Sequence, residues 1–267
     1  MVKAIVTGVA GRMGGRIVHL MEAASGIRLV GAVESPGHVA VGKDVGEVVG
    51  LPSKGVKVVD SLDQVLSQGE VVIEFTHPEP SLAHLSQIAD AGKAMVLGTT
   101  GFSPPQIAEI HALASRAHLV FAPNMSVGVN LMFKVVADIA RVLGDGYDVE
   151  IVEAHHRLKK DAPSGTAIKL GQVIAHALNR EFEKVGVYSR HGIIGARPDQ
   201  EIGIQTVRAG DIVGEHTVLF AGLGERLEII HRAHSRDNFA RGAVRAALWV
   251  GSQPPGLYDM QDVLGLK

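Results

Sequence analysis

Residues 2–14 read VKAIVTGVAGRMG, and this stretch decides the fold. Val2–Thr7 is a short run rich in β-branched residues that stops at Gly8, the pattern of a buried strand. Beyond the glycine-rich turn, Met13, Ile17, Leu20 and Met21 recur at helical spacing, predicting a helix over Met13–Ala24. Arg28–Glu34 is again strand-like, so residues 2–34 form a strand–turn–helix–strand unit of the size a parallel pair requires.

The alternation continues outward. Val56–Val59, Val71–Phe75, Ala94–Leu97 and Leu119–Phe121 are short apolar runs, each closed by Gly, Pro, Asn or Asp nearby. Helices are expected between them over Ser61–Ser67, Ser81–Ala91 and Pro104–Arg116, the last starting on prolines. Strands alternating with helices for ~120 residues predict an α/β chain with a Rossmann-type, doubly wound parallel sheet.

After Asn124 the pattern changes. A long amphipathic helix is expected over Val129–Leu143, a strand over Asp148–Ala154 and a helix over Thr166–Leu178. Three further strands, Gly203–Ala209, Glu215–Ala221 and Arg226–Ala233, are joined by AGDIVG and GLGE, which read as hairpin turns of an antiparallel sheet. That is a second, smaller α+β domain, and Phe239–Val250 reads as a helix returning to the first. The expected division is 1–126 completed by 237–267, with 127–236 as the second domain.

Composition narrows the function. A net charge of −2 gives no electrostatic case for nucleic acid or a membrane surface. The absence of cysteine excludes disulfides, thiolate metal sites and a cysteine nucleophile. No apolar run reaches the ~18 residues of a membrane span, and with a strand expected from Val2 no secretory leader is expected. The expected compartment is the cytoplasm.

The turn GVAGRMG (residues 8–14) lies where a dinucleotide pyrophosphate would bind, glycine allowing close approach and the helix start offering free N–H groups. Ala10 stands at the second glycine of the strict pattern, with Gly11 after it. Glu34 ends the next strand about 20 residues beyond Gly14, where a carboxylate accepts from ribose hydroxyls. Ser35 follows where an arginine would favour a 2′-phosphate, so NADH is preferred and NADPH is the alternative, Arg12 being the base that could compensate. FTHP (75–78), GTTG (98–101) and APNM (122–125) are small, polar strand ends suited to the rest of a nicotinamide cofactor.

The second centre is EAHHRLKKDAPSGTA, residues 153–167. Two histidines, an arginine and two lysines gather where a strand meets a helix. Histidine can donate a proton near neutral pH, with an ordinary pKa of ~6.5. Ser164, Gly165 and Thr166 open a helix whose N–H groups suit a carboxylate. Together they describe a pocket for an anionic substrate receiving a hydride and a proton. No carboxylate has convincing metal-ligand spacing with the histidines, so no metal is expected.

These segments, with VRAGDIVGEHT (207–217) and SRDNFARGA (235–243), resemble the dihydrodipicolinate reductase family, the 4-hydroxy-tetrahydrodipicolinate reductases of diaminopimelate and lysine synthesis. The resemblance spans nearly the whole chain. It implies a nicotinamide-binding N-terminal domain, a substrate-binding and oligomerisation domain, a cyclic dicarboxylate substrate, and a homotetramer associating through the second domain's sheets. By the same resemblance His155 is the proton donor and Lys159 the second catalytic residue, with His156, Gly165 and Thr166 contacting substrate. Cofactor contacts carry over to Gly8, Val9, Ala10, Gly11, Arg12, Met13, Glu34, Gly98, Thr99, Thr100, Ala122, Pro123, Asn124 and Met125. Pro123 and Met125 stand where some relatives carry Ala and Phe. Aspartate-semialdehyde dehydrogenase needs the cysteine this chain lacks. A homoserine dehydrogenase-like enzyme leaves the paired histidines unexplained, and a nucleotide-sensing regulator should carry a basic or DNA-binding face.

Overall fold

The structure, a computed structural model, describes residues 1–267. In chain order the elements are β1 (Val2–Thr7), α1 (Arg12–Ala23), β2 (Ile27–Val33), α2 (Val45–Val49), β3 (Val58–Val59), β4 (Val71–Glu74), α3 (Pro78–Asp90), β5 (Ala94–Leu97), α4 (Pro104–Leu113) and β6 (His118–Phe121). Then come α5 (Val127–Leu143), β7 (Asp148–His155), α6 (Gly165–Ala177), α7 (Phe182–Val185), β8 (Gly186–Val187), β9 (Ile202–Arg208), β10 (Gly214–Gly222) and β11 (Glu225–Ala233). The chain ends with α8 (Asp237–Val250), β12 (Gly256–Tyr258) and α9 (Met260–Leu264). It divides into two compact units, Met1–Val127 with Arg236–Lys267, and Gly128–Ser235.

The first unit is a seven-stranded parallel sheet in the order β12-β6-β5-β4-β1-β2-β3, the doubly wound arrangement with its reversal of strand order beside β1. The central strands are apolar on both faces because both are covered, Ala4 and Val6 in one core and Ile5 and Val72 in the other. α8 supplies Ala240, Ala243, Ala247 and Val250 to the first of these cores. The helix expected over Ser61–Ser67 is instead two 3₁₀ turns, Leu62–Gln64 and Leu66–Gln68. Val65 between them leaves helical geometry, and its side chain fills the space above Gly31.

The second unit is a five-stranded sheet in the order β11-β10-β7-β9-β8. It is mixed, which corrects the antiparallel expectation. β9 runs parallel to β7, while β10 pairs antiparallel with both β7 and β11. Only β10–β11 is a hairpin, turning through Gly224 at φ +87°. The AGDIVG joint carries the chain across the end of β7, where Ala209 N donates to His155 O at 2.9 Å. One sheet face is buried under α5 and α6 by Met132, Val136, Leu170 and Ile174 against Val149, Ile151, Ile204 and Val218. No helix of the chain is long and apolar enough to cross a membrane.

Candidate functional site

In the first unit the candidate cofactor residues collect at the carboxyl ends of β1, β2, β5 and β6. The turn is held tight by Gly11 N donating to Gly8 O at 2.9 Å, with Gly8 at φ +60°. A Cβ on Gly14 would lie 2.2 Å from Gly8 O, so α1 sits on the turn at a distance only glycine permits. The start of α1 has no side-chain cap and no acidic residue in its first turn. It therefore keeps unsatisfied amides and a positive dipole end for an anion. Ala10, Gly11, Arg12 and Arg16 line a cleft of about 220 Å³. The Glu34 carboxylate folds over the turn, accepting from Ala10 N at 3.0 Å and Ser35 N at 2.9 Å. Glycine cradle, uncapped helix start and carboxylate at the end of β2 fit a dinucleotide.

The other expected contacts divide by exposure. Val9, Thr99, Ala122 and Met125 are buried, so they have backbone rather than side chain to offer a cofactor. Thr99 Oγ1 is hydrogen-bonded to Ser81 Oγ at 2.8 Å, tying the end of β5 to α3. Below this bond lies a group that sequence patterning does not flag. Glu74 is fully buried; it accepts from Thr76 N at 3.1 Å and from the Thr76 hydroxyl, and pairs with His84 Nδ1 at 2.6 Å. It thereby seats the Thr76 methyl against Gly8, where a Cβ would come within 2.8 Å. A larger cleft of about 490 Å³ opens at the amino ends of the strands beside Glu70, Lys93 and His118. Each of those side chains already bonds within the protein, and ligands of such sheets gather at the carboxyl ends.

In the second unit β7 runs one residue further than expected and includes His155. Alternation then places Glu153 and His155 on the same face, the one α6 covers. His155 Nδ1 meets Glu153 Oε2 at 2.6 Å. Glu153 is fully buried and saturated. Arg208 grips it bidentately at 2.7 and 2.8 Å, Ser164 N donates to Oε1 at 2.9 Å and Thr206 Oγ1 at 3.2 Å. Burial by itself would raise this carboxyl's pKa. The hydrogen bonds from His155, Arg208 and Ser164 outweigh it and hold the group far below the ordinary carboxylate range.

Ser164 caps α6 by accepting from Ala167 N at 3.2 Å, and the same hydroxyl meets His216 Nε2 at 3.1 Å. Burial, then the neighbouring His155, pushes His216 down to about 3, so it is neutral at physiological pH. Its ring stands edge-on to His155 with centroids 5.3 Å apart. Gly165, at the first position of α6, is exposed, and a Cβ there would meet nothing within 4 Å, leaving the helix start open to approach. Lys159 Nζ is held by both Asp161 oxygens at 2.8 and 2.9 Å. Burial disfavours the Asp161 anion, but the Lys159 hydrogen bond, its own backbone amide and the charges of Lys159 and Arg208 together outweigh it and lower its pKa. Asp161 O in turn accepts from Arg208 Nη2 at 2.6 Å. His156 follows the strand, and its carbonyl accepts from Lys159 N at 3.0 Å. His155, Lys159 and the start of α6 are therefore joined through Glu153, Arg208 and Ser164.

A doubly wound sheet with a glycine turn, joined to a mixed-sheet unit bearing this histidine–lysine cluster, defines an oxidoreductase of the dihydrodipicolinate reductase type. The chain belongs to that family. Its residues 2–125 match the dihydrodipicolinate reductase N-terminus and 128–264 the C-terminus. It is 60% identical over 267 residues to the 4-hydroxy-tetrahydrodipicolinate reductase of Syntrophobacter fumaroxidans and 57% identical to that of Syntrophus aciditrophicus, covering 100% of each chain. A solved structure of dipicolinate-bound dihydrodipicolinate reductase from Paenisporosarcina sp. TG-14 superposes with a TM-score of 0.75, at 28% identity and 98% coverage of both chains.

Proposed function

We propose that this chain reduces 4-hydroxy-tetrahydrodipicolinate to tetrahydrodipicolinate with a nicotinamide cofactor, His155 donating the proton. The observation that carries the reading is the His155–Glu153 pair at 2.6 Å, placed through Ser164 beside an open helix start and near an ammonium. The residues of the glycine turn, with Glu34 and the ends of β5 and β6, hold the cofactor. When bound, its nicotinamide supplies a hydride.

The roles of the chain's own residues follow from their chemistry. His155, with Nδ1 turned to Glu153, presents Nε2 as the nitrogen that gives up a proton. Lys159 takes a substrate carboxylate in place of Asp161, whose two oxygens now hold the ammonium as that carboxylate would. Gly165 and Thr166 receive a carboxylate on backbone and hydroxyl at the start of α6. His156, next to the donor, lines the same approach. A cyclic dicarboxylate brings two carboxylates, one for Lys159 and one for the start of α6.

NADH is the preferred cofactor, because Glu34 repels a 2′-phosphate and Ser35 offers it no counter-charge. The homotetramer is supported by the sheet face of the second unit that α5 and α6 leave bare, where Val207 and Ile230 are 43% and 46% exposed. Light scattering should give four times the 28.2 kDa chain mass. The deciding assay follows NADH oxidation with substrate generated in situ by the preceding synthase, with oxaloacetate and aspartate semialdehyde as controls. Turnover on either control but not on the dicarboxylate would refute the proposal. His155→Gln should abolish turnover while leaving NADH affinity unchanged.

A further inference from the structure

We infer that Glu153 is a positioning residue that sets the tautomer of His155, with Arg208 fixing the carboxylate so that it can act only in that sense. The inference rests on His155 being the proton donor and deepens that reading.

Four donors and one imidazole nitrogen converge on the two oxygens of Glu153. Oε1 receives Ser164 N, Arg208 Nη2 and Thr206 Oγ1, and Oε2 receives Arg208 Nη1 and faces His155 Nδ1. A backbone amide and a guanidinium can only donate. The carboxylate has no proton to offer back, since the same contacts hold its pKa far below the usual range. At 2.6 Å from an acceptor-only oxygen, His155 Nδ1 must carry hydrogen in both the neutral ring and the imidazolium. Nε2 is thus left as the nitrogen that gains and loses the catalytic proton.

The groups around the ring do not compete for this assignment. Arg208 on β9 spends Nη1 and Nη2 on Glu153 and on the carbonyls of Val207 and Asp161. His216 on β10 is engaged through Nε2 with Ser164 Oγ at 3.1 Å, away from the His155–Glu153 contact. Lys159, on the loop after β7, is engaged with Asp161. Gly214 on β10 leaves the space a side chain would take, since a Cβ there would lie 3.1 Å from His155 Nε2 and press on the reacting nitrogen. Glu153 also holds Ser164 N, so one carboxylate fixes both the proton donor and the start of the helix assigned to the substrate carboxylate.

The geometry gives an asymmetric expectation for Glu153→Gln. The amide oxygen is better placed at the Oε1 position, where Ser164 N, Arg208 Nη2 and Thr206 Oγ1 donate, since the Oε2 position faces one fixed donor, Arg208 Nη1. The amide NH₂ then faces His155, whose Nδ1 can only accept, and the neutral ring switches to the Nε2–H tautomer. The imidazolium is left with a donor opposing a donor. Turnover should fall by about 10²- to 10⁴-fold, the contribution of a positioned general acid. KM for the dicarboxylate and NADH affinity should change little, because the α6 start and the glycine turn keep their contacts.

The test joins kinetics to ¹⁵N NMR of histidine-labelled enzyme, with the His155 signals assigned by their loss in His155→Gln. The wild-type neutral ring should show Nδ1–H, and Glu153→Gln should show Nε2–H together with the kcat loss. A wild-type Nε2–H tautomer overturns the inference even if the variant does not fold. So does a folded Glu153→Gln enzyme with unchanged tautomer or near-normal kcat. If His155→Gln itself keeps its turnover, the proton-donor reading fails instead, and the two failures are distinguishable.

Discussion

The sharpest check on the first unit compares two adjacent glycines on one helix. An alanine Cβ at position 14 would lie 2.2 Å from Gly8 O, 2.7 Å from Gly8 C and 2.9 Å from Val9 Cα. All three are backbone and cannot rotate away. Carbon contacts settle near ~3.5 Å, so the turn and the helix start must part by about 1 Å. Overpacking of this kind costs ~1–3 kcal/mol, which for a chain of this size lowers Tm by roughly 2–10 °C. The same movement takes amides away from the phosphates. Losing one charge-assisted hydrogen bond, worth ~1.5–3 kcal/mol, weakens NADH binding by about 10- to 100-fold. At position 15 the nearest atom to a Cβ is Val9 O at 3.4 Å, an ordinary contact. Gly15→Ala should therefore bind NADH as wild type does and gain up to about 1 kcal/mol of helix propensity. Calorimetric titration with NADH, alongside melting curves, reads both effects. A folded Gly14→Ala that binds NADH with wild-type affinity would remove the turn from the cofactor site. Equal damage from Gly15→Ala would show that close backbone approach is the wrong explanation.

Lys159→Ala should lower kcat/KM by well over tenfold (~1.4 kcal/mol), since a substrate carboxylate would lose its charge partner; a smaller loss would move the role to Lys160. Comparing kcat/KM for the two cofactors should favour NADH by about tenfold or more, and a strong NADPH preference would count against the roles given to Glu34 and Ser35. Stability should fall as pH drops, beginning above the carboxylate range. His216 is lowered from 6.5 to about 3, so below pH 6.5 the unfolded chain takes up a proton that the folded one refuses, at ~1.4 kcal/mol per pH unit. Glu153, also lowered, adds its loss below about 4.5. His231, lowered by burial and by His234, adds to the same window, so His216→Phe should reduce the slope between pH 6.5 and 4.5 in denaturant titrations by the His216 share. An unchanged slope would mean that His216 is not held neutral.

The parts of the fold legible in the sequence are those whose cause is local. The glycine turn, the strand–helix alternation of residues 2–121 and the amphipathic pattern of α5 each follow from spacing within one or two elements. Ser61–Ser67 misleads because its apolar spacing suits a helix, whereas Val65 answers to Gly31 across the sheet, which no local pattern records. Glu153 is within reach of sequence reasoning: it stands two residues before His155, and a strand drawn to His155 puts both on one face. A strand ended at Ala154 conceals the pair. Arg208, Gly214 and His216 are beyond reach, because their meaning depends on register.

That register also explains the VRAGDIVGEH segment, which local turn chemistry presents as a hairpin. β9 runs parallel to β7 and pairs Arg208 with His155, while β10 runs antiparallel on the other side of β7 and pairs Glu215 with Ala154. The link between them has to cross the end of β7, and it does so with Ala209 N bonded to His155 O and Gly210 O accepting from Arg157 N. A hairpin would have placed β9 and β10 side by side and left one flank of His155 without a strand. The crossing instead sets Arg208 on one flank and Gly214 on the other, the first fixing the carboxylate behind the ring and the second leaving room beside Nε2. The topology of the second unit is thus part of how His155, the proposed proton donor, is aimed, since no single strand could supply the charge on one side and the space on the other.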